Sequence, residues 1–296
     1  MIRGIHLILV MPMPPSIATI CKRYHIRPRR GFGQHFLTNA GVVAKIVRAI
    51  APAANEPLLE IGPGLGVVTR ALAGAGARVT AVEADRRMIE VLTAELGAHP
   101  RVRIVYGDIL EVDVEEILGG SRRVRAVGNL PYNISSPILF LLREYRHRIA
   151  EAIVMLQREV ANRLTAPVGT KDYGLLTIGI GVVGTCERLF DVAPGSFWPA
   201  PKVTSSVVRI RFPDPPPHPS CNLETFSRLT RAAFGKRRKT IRNALAMAAA
   251  RGELGVAWRT TAAIEAALAQ AGIPPGARPE TLSIADYVRL ATTMSE

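Results

Sequence analysis

The chain has 296 residues, 48% of them hydrophobic, enough for one large domain plus a small one around a real core, which places it among globular proteins. Thirty-eight Lys and Arg against 24 Asp and Glu leave a formal charge of +14, which calls for a polyanionic partner without separating nucleic acid from a membrane surface. Cys21, Cys186 and Cys221 lie far apart with no C-x-x-C or Cys/His spacing, so neither a zinc site nor a disulfide framework is indicated and a reducing cytoplasm is expected.

The start carries an apolar run from Ile5 to Met11 with Arg3 before it and Pro12, Pro14 and Pro15 after it. It lacks a small-residue cleavage site, and residues 1–27 are read as a partly disordered extension with Met11 or Met13 as alternative starts. No run approaches a membrane span. Ser16 to Tyr24 is expected to cap and form a short helix, and Arg27 to Arg30 is a basic link into Gly31-Phe32-Gly33. From Thr38 to Ile50 apolar residues recur at helical spacing through Val42, Val43, Ile46, Val47 and Ile50.

Strands and helices then alternate. Strands are expected at Leu58–Ile61, Arg78–Val82, Val102–Tyr106, Val124–Val127 and Ala152–Leu156, and helices at Val67–Ala73, Arg86–Leu96 and from Pro137 onward. This order predicts an α/β fold with a doubly wound, mostly parallel sheet, whose ligands bind at the carboxyl ends of the strands. Val203 to Phe212 alternates as a further strand, and the proline-rich segment 213–220 can continue neither ladder nor helix. The division expected is a catalytic domain over 28–212, a linker over 213–220 and a helical domain over 221–296. Apolar residues in the last part recur at Phe226, Leu229, Ala233, Ile241 and Leu245.

Glu60-Ile61-Gly62-Pro63-Gly64-Leu65-Gly66 follows a strand and opens a helix, so its glycines let a ligand approach the backbone. Such loops serve dinucleotides and S-adenosylmethionine alike, and the G-x-G-x-G spacing lacks the last glycine offset of the nicotinamide fingerprint. Glu83 closes the next strand, where a carboxylate accepts both hydroxyls of a ribose. Asp108 follows the third, where a carboxylate accepts from an adenine amino group. Three acids at three successive strand ends make a merely structural turn a poor account.

The strand Val124–Val127 runs into Gly128-Asn129-Leu130-Pro131-Tyr132-Asn133-Ile134. Asn-Leu-Pro-Tyr resembles the [D/N]-P-P-[Y/F] motif of amino methyltransferases. An exocyclic adenine amine is a poor nucleophile because its lone pair is delocalised into the ring. The Asn129 side-chain oxygen and the Leu130 carbonyl can hold its hydrogens and draw the nitrogen towards tetrahedral geometry. No strong base is needed, since the proton can leave after methyl transfer. Pro131 stiffens the loop, and Tyr132 offers a face for an extruded base.

From Gly33 to about Leu245 the sequence resembles the small-subunit ribosomal RNA adenine N6,N6-dimethyltransferases. The matching stretches are Gly33-Gln34-His35-Phe36-Leu37, Glu60 to Gly66, Gly128 to Ser136, Leu156 to Ala161 and Pro194 to Ser206. The resemblance implies a Rossmann-like seven-stranded class I methyltransferase sheet with a small C-terminal helical domain, and S-adenosylmethionine as methyl donor without a metal. His35 and Leu37 would line the cofactor site, completed by Gly62, Glu83, Asp108 and Asn129. The family often has asparagine at the His35 position, which implies a polar or backbone contact rather than imidazole acid–base chemistry.

Phe197 matches the family aromatic expected to sandwich the target base against Tyr132, and would join Asn129, Leu130, Pro131 and Tyr132 in the catalytic group. Lys236, Arg237, Arg238, Lys239 and Arg242 resemble the family's basic segment and would track an RNA backbone. Family members place two methyls on each of two adjacent adenosines near the 3′ end of small-subunit rRNA, acting on a preassembled subunit. A cytoplasmic, monomeric enzyme with no membrane partner is therefore expected. The competing readings are a large-subunit rRNA methyltransferase of the macrolide-resistance type, a non-catalytic RNA-binding or assembly factor, a DNA adenine or protein glutamine methyltransferase, and a nicotinamide enzyme.

Overall fold

The computed structural model describes residues 16–28, 33–120, 123–236, 238–255 and 258–294. The expectations for residues 1–15, for Gly31-Phe32 and for Arg237 lie outside the described residues. Ser16 accepts from the Thr19 N–H and caps helix α1 (Ile17–Arg23). A two-residue strand, β1 (Phe36–Leu37), leads to α2 (Ala40–Ile50). Asn39 sets the start of α2, two residues past Thr38, by accepting from the Val42 N–H.

The chain continues through β2 (Pro57–Ile61), α3 (Val67–Gly74), β3 (Arg78–Glu83), α4 (Arg86–Leu96), β4 (Val102–Tyr106), α5 (Val114–Leu118), β5 (Val124–Asn129), α6 (Ser135–Glu144) and β6 (Ile149–Gln157). Then come α7 (Arg158–Leu164), α8 (Leu175–Gly181), β7 (Thr185–Val192), β8 (Phe197–Trp198), β9 (Ser205–Arg211), α9 (Leu223–Phe234), α10 (Ile241–Ala250), α11 (Thr261–Gln270) and α12 (Ile284–Thr292).

Seven strands form one sheet in the order β4-β3-β2-β5-β6-β9-β7, with β2 to β6 parallel and β9 antiparallel to both its neighbours. The chain steps outward from β2 to β4 and then returns to β5 on the other side of β2. The carboxyl ends of β2 and β5 therefore flank the switch point, where open α/β sheets leave a crevice. The last strand starts at Ser205 rather than Val203, because the preceding turn presents Lys202 and Val203 to solvent.

Alternation along the strands sorts the core into two layers. Leu58, Ile153, Met155 and Val207 face α2 and α3. Leu59, Ile61, Val154, Leu156 and Val208 face the layer that holds α6 and α8. Glu60, between Leu59 and Ile61, accordingly turns to the α3 side.

The second layer continues past the proline-rich segment. Phe226 and Leu229 of α9, Ile241 and Leu245 of α10 and Tyr287 of α12 belong to the same buried cluster as Ile138 of α6 and Ile178 of α8. Tyr173 donates its hydroxyl to the Leu282 carbonyl at 2.9 Å across this junction. The prolines interrupt the chain's secondary structure but not its core.

Candidate active site

A cavity of about 290 Å³ opens at the switch point and is lined from four directions: the 33–37 segment, the glycine loop after β2, the ends of β3 and β4, and the 129–134 loop after β5. The glycine loop bends because Gly62, Gly64 and Gly66 all take positive φ. At Gly66 a Cβ would also stand 2.7 Å from the Leu96 side chain and 2.8 Å from that of Leu92, so α3 can start there only with no side chain. At Gly62 the nearest atom to such a Cβ is 3.9 Å away. The reason for glycine there is the backbone angle, and the space beside it is open to a ligand.

Glu83 accepts from the Gly64 N–H at 3.0 Å through one carboxylate oxygen and from the Asp85 N–H at 2.9 Å through the other. Burial nonetheless holds its carboxyl above the usual range. Asp108, at the end of β4, accepts from the Leu110 N–H at 2.9 Å and lines the same cavity. Asp85 caps α4, and although burial pulls its carboxyl up, hydrogen bonds from Arg87 and Gln34 outweigh that and hold it below the usual range. The Gln34 amide donates to Asp85 at 2.8 Å, which ties the 33–37 segment to α4.

Glu60 is the least settled group in the wall. Its side chain is 2% exposed, and one carboxylate oxygen, Oε2, has no hydrogen-bond partner among the described residues. Burial raises its carboxyl to about 7; the charge of Glu83 adds to that rise and contact with Thr69 opposes it. A buried carboxylate with one oxygen unpartnered, on a cavity wall, is stabilised by a cation. In S-adenosylmethionine the amino acid part and sulfonium would supply that positive charge, the ribose would offer hydroxyls to Glu83, and the adenine amine would offer a donor to Asp108. The residues present fit that ligand.

The 129–134 loop closes the cavity. Asn129 donates its Nδ2 to the His35 carbonyl at 2.9 Å, and among the described residues nothing donates to its Oδ1. Leu130 donates its N–H to the Met155 carbonyl at 3.1 Å, so the backbone that carries the Leu130 carbonyl is pinned to β6. Gly128 permits this approach, since a Cβ there would stand 2.7 Å from the Ile61 carbonyl. Pro131 lines the cavity beside Tyr132. The Tyr132 hydroxyl is paired with Ser205 Oγ at 2.7 Å, and burial pushes that phenol's pKa up.

His35 lines the cavity, its ring stacks on Tyr132 with centroids 5.4 Å apart, and its Nδ1 meets the Pro199 carbonyl at 2.7 Å. It thus covers one face of Tyr132, so a planar partner can take only the other. Leu37 also lines the cavity.

Phe197 departs from the expected clamp. It is 4% exposed, packs with Leu37, Val43, Ile46 and Val207, and is not part of the cavity wall. The cause is the ribbon of β1 and β8, in which Leu37 pairs with Phe197 and Phe36 with Trp198. Adjacent residues of a strand point to opposite sides, so Phe197 goes inward and Trp198 outward. The basic segment lies between α9 and α10, away from the cavity lining. Lys236, Arg238 and Lys239 are exposed, while Arg242 is ion-paired to Glu265 at 2.8 Å.

Sequence reasoning gave no role to three contributors and only part of the role of a fourth. Gln34 and Phe36 lie in the 33–37 stretch, and Ser205 in the stretch ending at Ser206, all within motifs already singled out. Glu60 was legible as an acid beside the glycine loop, but its missing partner and raised pKa depend on burial.

The sequence pattern described as ribosomal RNA adenine dimethylase matches residues 26–273. The chain belongs to this family. Ribosomal RNA small subunit methyltransferase A of Methylococcus capsulatus is 43% identical over 268 residues, covering 90% of this chain and 98% of that protein. The protein of the same description from Pseudomonas aeruginosa is 41% identical over 273 residues, covering 92% and 97%. Among solved structures, a dimethyladenosine transferase from Plasmodium falciparum superposes with a TM-score of 0.72 at 26% identity, covering 86% of this chain and 96% of that one. The 23S rRNA methyltransferase ErmE superposes with a TM-score of 0.64 at 28% identity, covering 88% and 100%.

The enzyme is thus an rRNA adenine dimethyltransferase of the class I fold, which implies S-adenosylmethionine as methyl donor. Among the described residues no group of three or more His, Cys, Asp and Glu is arranged to hold a metal ion, and no helix is long and apolar enough to cross a membrane. For Glu83→Ala, loss of an acceptor beside the glycine loop is expected to weaken S-adenosylmethionine roughly tenfold to a hundredfold, the range for a hydrogen bond to a charged group. Calorimetric titration reads this directly; an unchanged dissociation constant removes Glu83 from the cofactor site.

Proposed function

We propose that this enzyme places two methyls on the N6 amine of each of two adjacent adenosines near the 3′ end of small-subunit rRNA, presented on an assembling small subunit. The observation that carries the reading is that Asn129 and the glycine loop share one cavity: the amine acceptor and the cofactor wall lie at adjacent strand ends. The choice of subunit follows the relatives, which at 41–43% identity are described as small-subunit enzymes, whereas the 23S enzyme stands at 28%.

In this reading Asn129 Oδ1 and the Leu130 carbonyl accept the two hydrogens of the target amine and localise its lone pair. The Nδ2 bond to the His35 carbonyl fixes which way the amide faces, so no reorientation is needed as charge develops. Tyr132 takes the extruded base on the face that His35 leaves. Its hydroxyl, tied to Ser205, holds the ring rather than exchanging a proton. S-adenosylmethionine, when bound, supplies an electrophilic methyl on a sulfonium sulfur. The product ammonium loses its proton to water, so the chain needs no base of its own.

Incubating the enzyme with labelled S-adenosylmethionine and undermethylated small subunits, with large subunits in parallel, tests the reading by nucleoside analysis. Dimethyladenosine confined to small-subunit rRNA is expected. Label in 23S rRNA instead would move the enzyme to the large-subunit class, and binding without label would make it an assembly factor.

Lys236, Arg238 and Lys239 are proposed to contact phosphates, with a smaller share for the paired Arg242. Reversing the first three charges is expected to weaken RNA binding and to flatten the slope of log K against log salt by about 2, given roughly 0.7–0.9 per phosphate contact. Binding isotherms at several salt concentrations measure it, and an unchanged slope takes this segment out of the interface.

A further inference from the structure

Two tryptophans are present, and their surroundings are opposite: Trp258 is 3% exposed and Trp198 is 42% exposed. Tryptophan joins a large apolar face to a polar N–H, which is why it is enriched where a surface meets a partner. The placement of Trp198 is specific. Its register partner across the β1–β8 ribbon is Phe36, and the two rings stack with centroids 6.4 Å apart and planes 22° from parallel. One face of the indole is therefore backed by an aromatic ring that itself lines the cavity. The next carbonyl, that of Pro199, meets His35 Nδ1 at 2.7 Å, and the His35 ring lies on Tyr132. Trp198 thus stands just outside the reaction cavity, linked to the catalytic tyrosine through one residue of chain and one ring.

The same turn presents a cation. Lys202 is exposed four residues on, and the Arg158 N–H donates to the Thr204 carbonyl at 3.0 Å, which ties the backbone of the exposed Arg158 to the far end of this turn. An aromatic face with flanking cations is the composition that binds single-stranded nucleic acid, the ring stacking on a base and the cations meeting the phosphates. Methylation at N6 within a stacked run needs the target base withdrawn, and this leaves its neighbour with a bare face.

We propose that the Trp198 indole stacks on the nucleobase next to the adenosine being methylated, with Lys202 and Arg158 beside the adjoining phosphates. It is a positioning residue: it fixes the strand so that the withdrawn base meets Asn129, and it touches neither cofactor nor reacting atoms. The inference rests on the rRNA reading above and deepens it by naming a contact to the flanking nucleotide.

The test uses the full enzyme, wild type and with Trp198→Ala or Trp198→Phe, and an RNA oligonucleotide of the small-subunit 3′ end alongside undermethylated subunits. Trp198→Ala is expected to raise KM for RNA roughly tenfold, in line with the loss of one stacked base, with S-adenosylmethionine affinity held. Trp198→Phe, which keeps a ring, is expected to recover most of that loss. RNA is expected to quench the wild-type tryptophan emission, and the quench is expected to vanish in Trp198→Phe, where only buried Trp258 emits.

An RNA KM within twofold of wild type in Trp198→Ala overturns the proposal. So does equal weakening of RNA and cofactor, which would mean that the indole merely props Phe36, and so does an emission unchanged by RNA. Failure of the substrate reading shows separately, as absence of methyl transfer by the wild type, and the quench is read whether or not turnover occurs.

Discussion

Asn129→Ala is expected to slow methyl transfer by a factor on the order of 10² to 10³, the usual cost of removing one oriented polar group from a reacting centre. Its cofactor affinity is expected to fall far less. The geometry separates the two effects. Asn129 Oδ1, which has no donor among the described residues, is the atom left to hold the target amine, and its loss acts on the chemical step. The Nδ2 atom binds the His35 carbonyl, so its loss leaves that carbonyl unpaired and loosens the 33–37 segment on the cavity wall, a smaller and indirect effect on the ligand. Asn129→Asp keeps an acceptor but loses the donor, and is expected to fall between the two. Single-turnover transfer at saturating RNA, beside calorimetric titration of S-adenosylhomocysteine, separates rate from affinity. Equal single-turnover rates for Asn129→Ala and wild type would refute the chemistry proposed for the 129–132 loop.

The parallel strands were legible because a strand buried on both faces reads as an apolar run. Leu58–Ile61 and Val124–Val127 stand out, and each is followed by the loop that carries chemistry. Strand β7 was not legible. It lies at the sheet edge with Glu187 and Arg188 exposed, and its register shifts between Arg188 and Phe190, which destroys the alternation a strand is recognised by.

The β1–β8 ribbon escaped for a different reason. Two residues a side hold no period, and their partner lies about 160 residues away, so nothing local reveals the pairing. That ribbon decides which of Phe197 and Trp198 points outward, and it is why the aromatic expected beside Tyr132 is found in the core. The C-terminal boundary illustrates the converse. Proline dictates where ladders and helices stop, but says nothing about which buried faces meet across the break, and here Phe226 and Tyr287 complete a core begun by the sheet.

Glu60→Gln and a pH titration of cofactor affinity together form the second large expectation. In the ligand-free enzyme the Glu60 carboxyl titrates at about 7, raised first by burial and then by the charge of Glu83. A cation beside it favours the ionised form, so binding S-adenosylmethionine releases the proton that Glu60 carries at lower pH. Affinity is therefore expected to be nearly flat above about pH 7.5 and to fall below 7, approaching tenfold per pH unit as one proton becomes coupled to binding. Glu83, also shifted upward, steepens the fall at the acidic end.

In Glu60→Gln the amide is neutral at every pH, so the part of the slope due to Glu60 is expected to vanish. Affinity at pH 8 is expected to drop roughly tenfold to a hundredfold, the worth of a hydrogen bond to a charged group in a buried wall. The same substitution removes a buried carboxylate with one oxygen unpartnered, so the ligand-free protein is expected to gain stability at pH 8, where wild-type Glu60 must hold its charge in the core. Weaker binding with a more stable apo-enzyme distinguishes a group kept for its ligand from one that supports the fold. A Glu60→Gln protein that binds as tightly as wild type, or melts lower at pH 8, would assign Glu60 to structure alone.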